Sequence, residues 1–285
     1  MSGERDLKAG GLIHQTEARE DLVELLPKAG VILNSYFRSV KLKLKSKSDV
    51  DIVTEADEAV DNFIQKSISK AFPGYPILTE EKTAPAPYDE LRKHNDLFCA
   101  DPLDGTFNFS RGRANHAIST GLIRQGDVVV SVVYIPQTAE LFWAQQDQEG
   151  AFFQDPEGNL KQIHVSEISD PKQASIGIDW VADYPDLFHS LKTFEYFSKL
   201  IRSPRRQFLS MGSAVADLSH LASGQLEVYL NCGLKPWDTI PYLLIEKAGG
   251  RVTTPTGKPF NAFERDILAT NGVLHDYYLE LLKGV

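Results

Sequence analysis

From Ala18 onward apolar residues return every three or four positions, at Leu22, Leu25, Leu26, Ala29, Ile32, Leu33, Tyr36 and Phe37. The spacing predicts an amphipathic helix that opens near a candidate cap at Thr16 and bends near Pro27, whose ring removes a backbone donor. A second helical pattern starts at Thr54 and runs through Ala59, Val60, Phe63, Ile64 and Ile68 to about Ala71, where Pro73-Gly74 stops it. A basic, serine-containing stretch at 41–49 separates the two. Ile77-Leu78 is a short apolar piece, and a proline-rich loop follows at 83–87.

Beyond this loop the period changes. Leu97, Phe98, Cys99 and Ala100 read as a buried strand, and the segments 117–123, 128–134, 140–144 and 151–153 alternate with turn signals at Gly126-Asp127, Pro136, Gly150 and 155–159 before Ile163. That is the pattern of an antiparallel meander. In the second half strands at 176–178, 225–230, 251–254 and 267–269 alternate with helical stretches at 187–200, 213–222 and 238–248. The chain therefore reads as an α+β subdomain over 1–163 and an α/β subdomain over 164–285.

Composition narrows the function. The 285 residues are 42% hydrophobic and 24% charged, which excludes a disordered or collagen-like chain. Thirty Lys and Arg against 39 Asp and Glu leave a formal charge of −9, so neither nucleic acid nor an anionic membrane surface is expected as a partner. The longest apolar run, 128–135, is broken by Ser131 and is far shorter than the roughly 20 residues of a membrane helix. Residues 1–15 lack the apolar stretch of a secretory signal, and a cytoplasmic location is expected. Cys99 and Cys232, the two cysteines, are expected to be reduced packing residues.

The candidate chemistry is acidic. Asp101-Pro102-Leu103-Asp104-Gly105-Thr106 places two carboxylates three positions apart after an apolar strand, where both can aim at one point. Asp-Pro and Asp-Gly are also ordinary turn formers. Glu80-Glu81 could reach a cation or simply face solvent. Asp57 has the spacing of a capping box with Thr54, and Asp238, after Pro236-Trp237, stands where a helix N-cap is expected. Four or five such carboxylates converging in a dry cleft repel one another unless cations bind or their pKa values rise. Oxygen donors without a His or Cys cluster favour Mg²⁺, and an acidic pocket loaded with Mg²⁺ binds phosphate. Phosphate-ester hydrolysis follows.

The 101–106 motif, together with Trp237-Asp238 and Glu246-Lys247-Ala248-Gly249-Gly250, resembles the two signatures of the inositol monophosphatase family of magnesium-dependent, lithium-sensitive phosphatases. Segments 51–57 and 77–81 add two ordered matches. The resemblance implies a layered αβαβα sandwich, a homodimer, and a small-molecule phosphate ester as partner. It implies that Glu80, Asp101 and the Leu103 carbonyl hold one Mg²⁺ while Asp101, Asp104 and Asp238 hold a second, with Glu80 reaching a third ion through water. Thr106, bonded to Asp57, would orient and help deprotonate the attacking water. The Gly105 and Thr106 amides would bind phosphate, Glu81 would support the ligands from behind, and Gly212, Ser213, Ala214 and Asn231 would line the ring site.

Four departures bear on substrate: Thr79 in place of a usual Gly, Phe107 in place of a small residue, Asn231 in place of a Glu, and Ile240-Pro241-Tyr242 in place of small residues. The substrate read from this is a phosphorylated polyol such as inositol monophosphate. Histidinol phosphate, fructose 1,6-bisphosphate and nucleotide-type phosphates stay open, as does a non-catalytic member that binds ligand or regulates.

Overall fold

The computed structural model describes residues 11–39, 44–46, 52–81, 88–179 and 187–285. The proline-rich loop, Asp51, residues 1–10 and most of the basic stretch lie outside the described residues. The N-terminal half runs α1 (Gln15–Tyr36), β1 (Leu44–Ser46), β2 (Ile52–Thr54), α2 (Glu55–Ala71), β3 (Ile77–Thr79), α3 (Tyr88–Leu91), β4 (Leu97–Asp104), α4 (Thr106–Ser110), β5 (Ala117–Arg124), β6 (Asp127–Ile135), β7 (Glu140–Gln145), β8 (Ala151–Gln154) and β9 (Leu160–Ile163). The C-terminal half runs β10 (Ser175–Ile178), α5 (Leu187–Leu200), β11 (Gln207–Leu209), α6 (Ala214–Ala222), β12 (Val228–Cys232), α7 (Pro236–Thr239), α8 (Tyr242–Lys247), β13 (Arg251–Thr253), β14 (Asp266–Thr270) and α9 (His275–Leu282).

Strands β3 to β9 form one seven-stranded sheet in sequence order, antiparallel except for the β3–β4 pair. A five-stranded sheet has the order β11-β10-β12-β14-β13. Side-chain alternation sends each strand's residues to two cores. On β4, Phe98 and Ala100 join α1 and α2 in one cluster, while Leu97 and Cys99 join α6 and α8 in another. On β12, Tyr229 belongs to that middle cluster, whereas Val228, Leu230 and Cys232 pack against Tyr196 of α5 and Tyr278 of α9. The result is the expected αβαβα sandwich. Both cysteines are buried and free.

The details depart from the sequence pattern where local chemistry intervenes. Helix α1 continues through Pro27 and starts at Gln15, so His14, without a side-chain bond, stands at its N-cap, and the Thr16 hydroxyl, already inside the helix, accepts from Gln145 Nε2 at 3.1 Å. The strand expected at 225–230 begins three residues later, since Gln225 donates its N–H to His220 O and closes the turn after α6. The helix expected over 238–248 is two helices, α7 and α8, broken at Ile240-Pro241. Tyr242, which follows the break, is buried and its hydroxyl accepts the Val128 N–H at 2.9 Å, tying α8 to β6. Strand β11 and helix α9 have no counterpart in the sequence pattern.

Two devices set the position of the site. Strand β5 receives α7 closely: Ser119 donates its hydroxyl to Trp237 O at 3.0 Å, and a Cβ on Gly121 would lie 2.6 Å from Val130 O and 3.0 Å from the Ile240 side chain. Glycine is therefore required by approach, not by backbone angle. Behind the loop before α6, Asp179 accepts from the Ser210 hydroxyl at 2.9 Å and the Gly212 N–H at 3.0 Å. Tyr229 OH lies 3.4 Å from its other oxygen. Asp217 of α6 faces this carboxylate, fully buried. Burial first, then the charges of Asp179 and Asp104, pushes the Asp217 carboxyl up to about 9, so it is neutral at pH 7 and can donate to Asp179.

Two outcomes follow from these contacts. Gly121→Ala is expected to destabilise the protein by about 1 to 3 kcal/mol through overpacking against Val130 O and Ile240, which urea unfolding measures. Asp217 keeps its proton far above the ordinary carboxylate pKa of 3.8, so its contribution is full below that value and declines as pH rises toward 9. Asp217→Asn, neutral at every pH, is expected to gain on the wild type steadily between pH 5 and 9 in thermal unfolding. Parallel pH curves for the two proteins would refute the buried neutral acid.

Candidate metal and phosphate site

Parallel pairing of β3 with β4 sets Thr79 beside Ala100, so Glu80 leaves its strand next to Asp101. The β4 ladder with β5 is irregular between Asp101 and Asp104, which brings both carboxylates to the same sheet end. Gly105 follows with φ +86°, and α4 starts there. Any Cβ at Gly105 would also come within 3.0 Å of Asn115 O and 3.1 Å of Gly212 O. Helix α7 brings Asp238 from the other half of the chain.

Asp101, Asp104 and Asp238 each offer an oxygen within 4.8 Å of the other two. Each is also anchored through a single oxygen. The Leu103 N–H donates to Asp101 Oδ1 at 2.9 Å, and the Lys235 N–H to Asp238 Oδ2 at 2.7 Å. Asp104 Oδ2 accepts the Ser213 hydroxyl and, at 2.9 Å, the Val215 N–H. The second oxygen of each is left to the cleft. Asp238 is thus the third residue of α7 and bonds back to the residue before the helix; the expected N-cap position belongs to Lys235.

Burial and mutual repulsion govern the charge here. Desolvation, then Glu80, Asp104 and Asp238, push Asp101 well above the usual carboxylate range. Asp238 is raised well above it by burial and then by Asp104, and Asp104 rises to about 7 by burial, opposed by its Ser213 and Val215 bonds. Such a set holds either protons or a cation. Three carboxylates with no imidazole or thiolate among them fit a hard divalent ion such as Mg²⁺.

Thr54 and Asp57 form the expected capping box of α2. Asp57 Oδ2 accepts the Thr54 N–H at 2.9 Å and the Thr54 hydroxyl. Its Oδ1 faces Thr106, whose hydroxyl reaches it at 3.2 Å and Leu103 O at 3.0 Å. Burial, partly offset by the Thr54 bonds, raises Asp57 to about 6. It is therefore mostly ionised at neutral pH.

A cleft of about 620 Å³ gathers Glu80, Asp101, Leu103, Asp104, Gly105, Thr106, Gly212, Ala214, Asn231 and Asp238. Three expected site residues lie elsewhere. Asp57 is bonded to Thr106, which lines the cleft, Glu81 follows Glu80 outside the cleft wall, and Ser213 is buried, its hydroxyl spent on Asp104 and the Ala216 N–H. Asn231 donates its amide to Tyr229 OH at 3.1 Å, while its buried Oδ1 has no partner. Phe107 is exposed on the rim. The sequence pattern missed Asn108, whose amide bonds Asn115 O and Met211 O at 2.7 Å each and so joins α4 to the loop that Asp179 holds. It also missed Asp179 itself. The one local signal was an acid at the end of an apolar strand.

The chain resembles known proteins over nearly its whole length. The sequence model of the inositol monophosphatase family matches residues 14–285. A fructose-1,6-bisphosphatase/inositol-1-monophosphatase of Thermotoga maritima is 30% identical over 264 residues, covering 92% of this chain and 94% of that protein. An inositol-1-monophosphatase of Caulobacter vibrioides is 30% identical over 269 residues, covering 92% and 100%. The solved extragenic suppressor protein suhB of Bartonella henselae superposes with a TM-score of 0.82 at 28% identity, covering 94% of this chain and 99% of that one. Among the described residues no helix is long and apolar enough to cross a membrane. With its fold and nearly its whole length in common with these proteins, the chain belongs to the inositol monophosphatase family.

Proposed function

We propose that the protein is a Mg²⁺-dependent phosphomonoesterase that hydrolyses a small phosphorylated polyol such as inositol monophosphate with an activated water. The carrying observation is the meeting of Asp101, Asp104 and Asp238 in one cleft that Thr106, bonded to Asp57, also lines. Asp101, Asp104, Asp238, Glu80 and the Leu103 carbonyl would hold two or three ions. When bound, Mg²⁺ supplies neutralisation of the phosphoryl oxygens, a lowered pKa for a water and stabilisation of the leaving oxygen.

The chain's own groups supply the rest. Gly105 and Thr106 present backbone N–H groups at the start of α4 to the phosphate oxygens. Thr106, donating to Asp57, has lone pairs free to orient a water by accepting one of its hydrogens. As the water oxygen bonds phosphorus and the ester P–O bond breaks, the proton passes through the Thr106 hydroxyl to Asp57, and the alcohol leaves with a proton from solvent. Asp57 is thus a helix cap through one oxygen and a base through the other. Ser213 and Val215 fix the direction of Asp104, and the unpartnered Asn231 Oδ1 accepts a substrate hydroxyl.

An amide in place of a carboxylate at Asn231 selects hydroxyl donors over amines, which favours a sugar or polyol over histidinol phosphate. A homodimer working in the cytoplasm, with subdomains divided at 163–164, completes the proposal.

Purified protein is expected to release phosphate from myo-inositol 1-phosphate with Mg²⁺ and to stop in excess EDTA. Added Mg²⁺ should raise the thermal midpoint of the wild type and much less that of Asp104→Asn, whose kcat should fall by about 10²-fold or more with its circular dichroism unchanged. Thr106→Ala is expected to cost about 10² to 10⁴ in kcat with little change in KM. No turnover on a broad panel of phosphate esters would favour a ligand-binding role instead.

A further inference from the structure

The floor of the cleft is acidic, but its rim carries a cation without a counterpart. Arg113 lines the cleft and is exposed, and its guanidinium makes no hydrogen bond or ion pair among the described residues. Its neighbour Arg111 is engaged, lying 5.5 Å over the ring of Phe107.

The backbone of Arg113 is fixed on both sides. Gly112, at φ +68°, turns the chain after α4, and the Arg113 N–H donates to Asn108 O at 2.9 Å. His116 Nδ1 lies 3.2 Å from the Arg113 carbonyl. Burial lowers His116 to about 4, so at neutral pH it is an uncharged donor packed 5.1 Å from the rings of Phe37 and Phe109. The guanidinium thus projects from a held backbone, and ordering it on a ligand costs less than ordering a mobile loop. Asn108, which anchors it, also holds the Met211 carbonyl of the opposite wall.

Two further features fit an anion at this place. The chain is acidic overall, so an arginine with no hydrogen bond or ion pair among the described residues, in the same cleft as Asp101, Asp104 and Asp238, is a local exception with a clear electrostatic preference. The residue in the floor that would face the rest of the substrate, Asn231, is neutral and does not repel a second negative group. A cleft of about 620 Å³ holds a hexose-sized molecule with a group at each end.

We propose that Arg113 binds a second anionic group of the substrate, remote from the phosphate that is cleaved, so that the preferred esters are sugar or polyol phosphates bearing two anions. This rests on the phosphatase reading above and makes Arg113 a specificity-determining residue. A guanidinium pairs bidentately with phosphate and with carboxylate alike.

The test compares wild type, Arg113→Gln and Arg113→Lys in Mg²⁺ on fructose 1,6-bisphosphate, 3-phosphoglycerate and myo-inositol 1-phosphate. In Arg113→Gln the kcat/KM ratio of a two-anion ester over the inositol ester is expected to fall about 10- to 100-fold, carried by KM, with partial recovery in Arg113→Lys. The wild-type preference should also weaken with added salt. A fall confined to the bisphosphate identifies a second phosphate, and one confined to the phosphoglycerate a carboxylate. Ratios within twofold of wild type for both esters, or a shared loss of kcat on all three, would overturn the role of Arg113 alone. Wild-type protein inactive on every ester would overturn the phosphatase reading with it.

Discussion

Like charges held close together where little water surrounds them are the central strain of this molecule. Asp101, Asp104 and Asp238 repel one another, and burial withdraws the solvent that would otherwise moderate the repulsion. The fold counters this with donors. A backbone N–H or a hydroxyl binds one oxygen of each carboxylate and fixes its direction, while the other oxygen stays available. Asp57 follows the same division, with Thr54 on one oxygen and Thr106 on the other. The two oxygens of this one side chain thus carry separate contacts, one within the capping box and one to Thr106, which lines the cleft.

The sandwich serves this arrangement by bringing two sheet systems to one cleft. Strand β4 delivers two of the acids from the meander, and α7 delivers the third across the middle layer, seated by Ser119 and by the missing side chain of Gly121. The loop before α6 is braced from behind by Asp179 and from the front by Asn108. Displacement of any of these supports would be felt at the carboxylates, because the contacts between them and the site are short and direct.

Much of this was legible in the chain. The meander shows because its strands are apolar runs punctuated by glycine and proline, and the 101–106 motif shows because its residue types are unusual together. The capping box at Thr54 was readable from spacing alone. What escaped depended on distant partners. Helix 238–248 reads as continuous by periodicity, yet Pro241 ends one helix and opens another, and Tyr242 finds its hydrogen bond on β6. The place of Asp238 within its helix, one turn deeper than a cap, turns on a bond to the Lys235 amide that spacing does not reveal. Ser213 faces away from the cleft because Asp104 claims its hydroxyl, a contact across 109 positions. Asp179 carries no motif, and what Asp179 and Asn108 hold in the loop before α6 is far away in sequence.

That long separation has a bearing on how the chain matures as it is made. The meander depends on neighbouring strands and can organise as soon as it leaves the ribosome, whereas Asp104 gains its stabilising donors only when Ser213 and Val215 arrive much later. Until then Asp101 and Asp104 of a nascent chain lack both these donors and the third carboxylate, Asp238. The acidic cluster is therefore completed only in the last stages of assembly, and a truncated product lacking α7 would lack one of its three carboxylates.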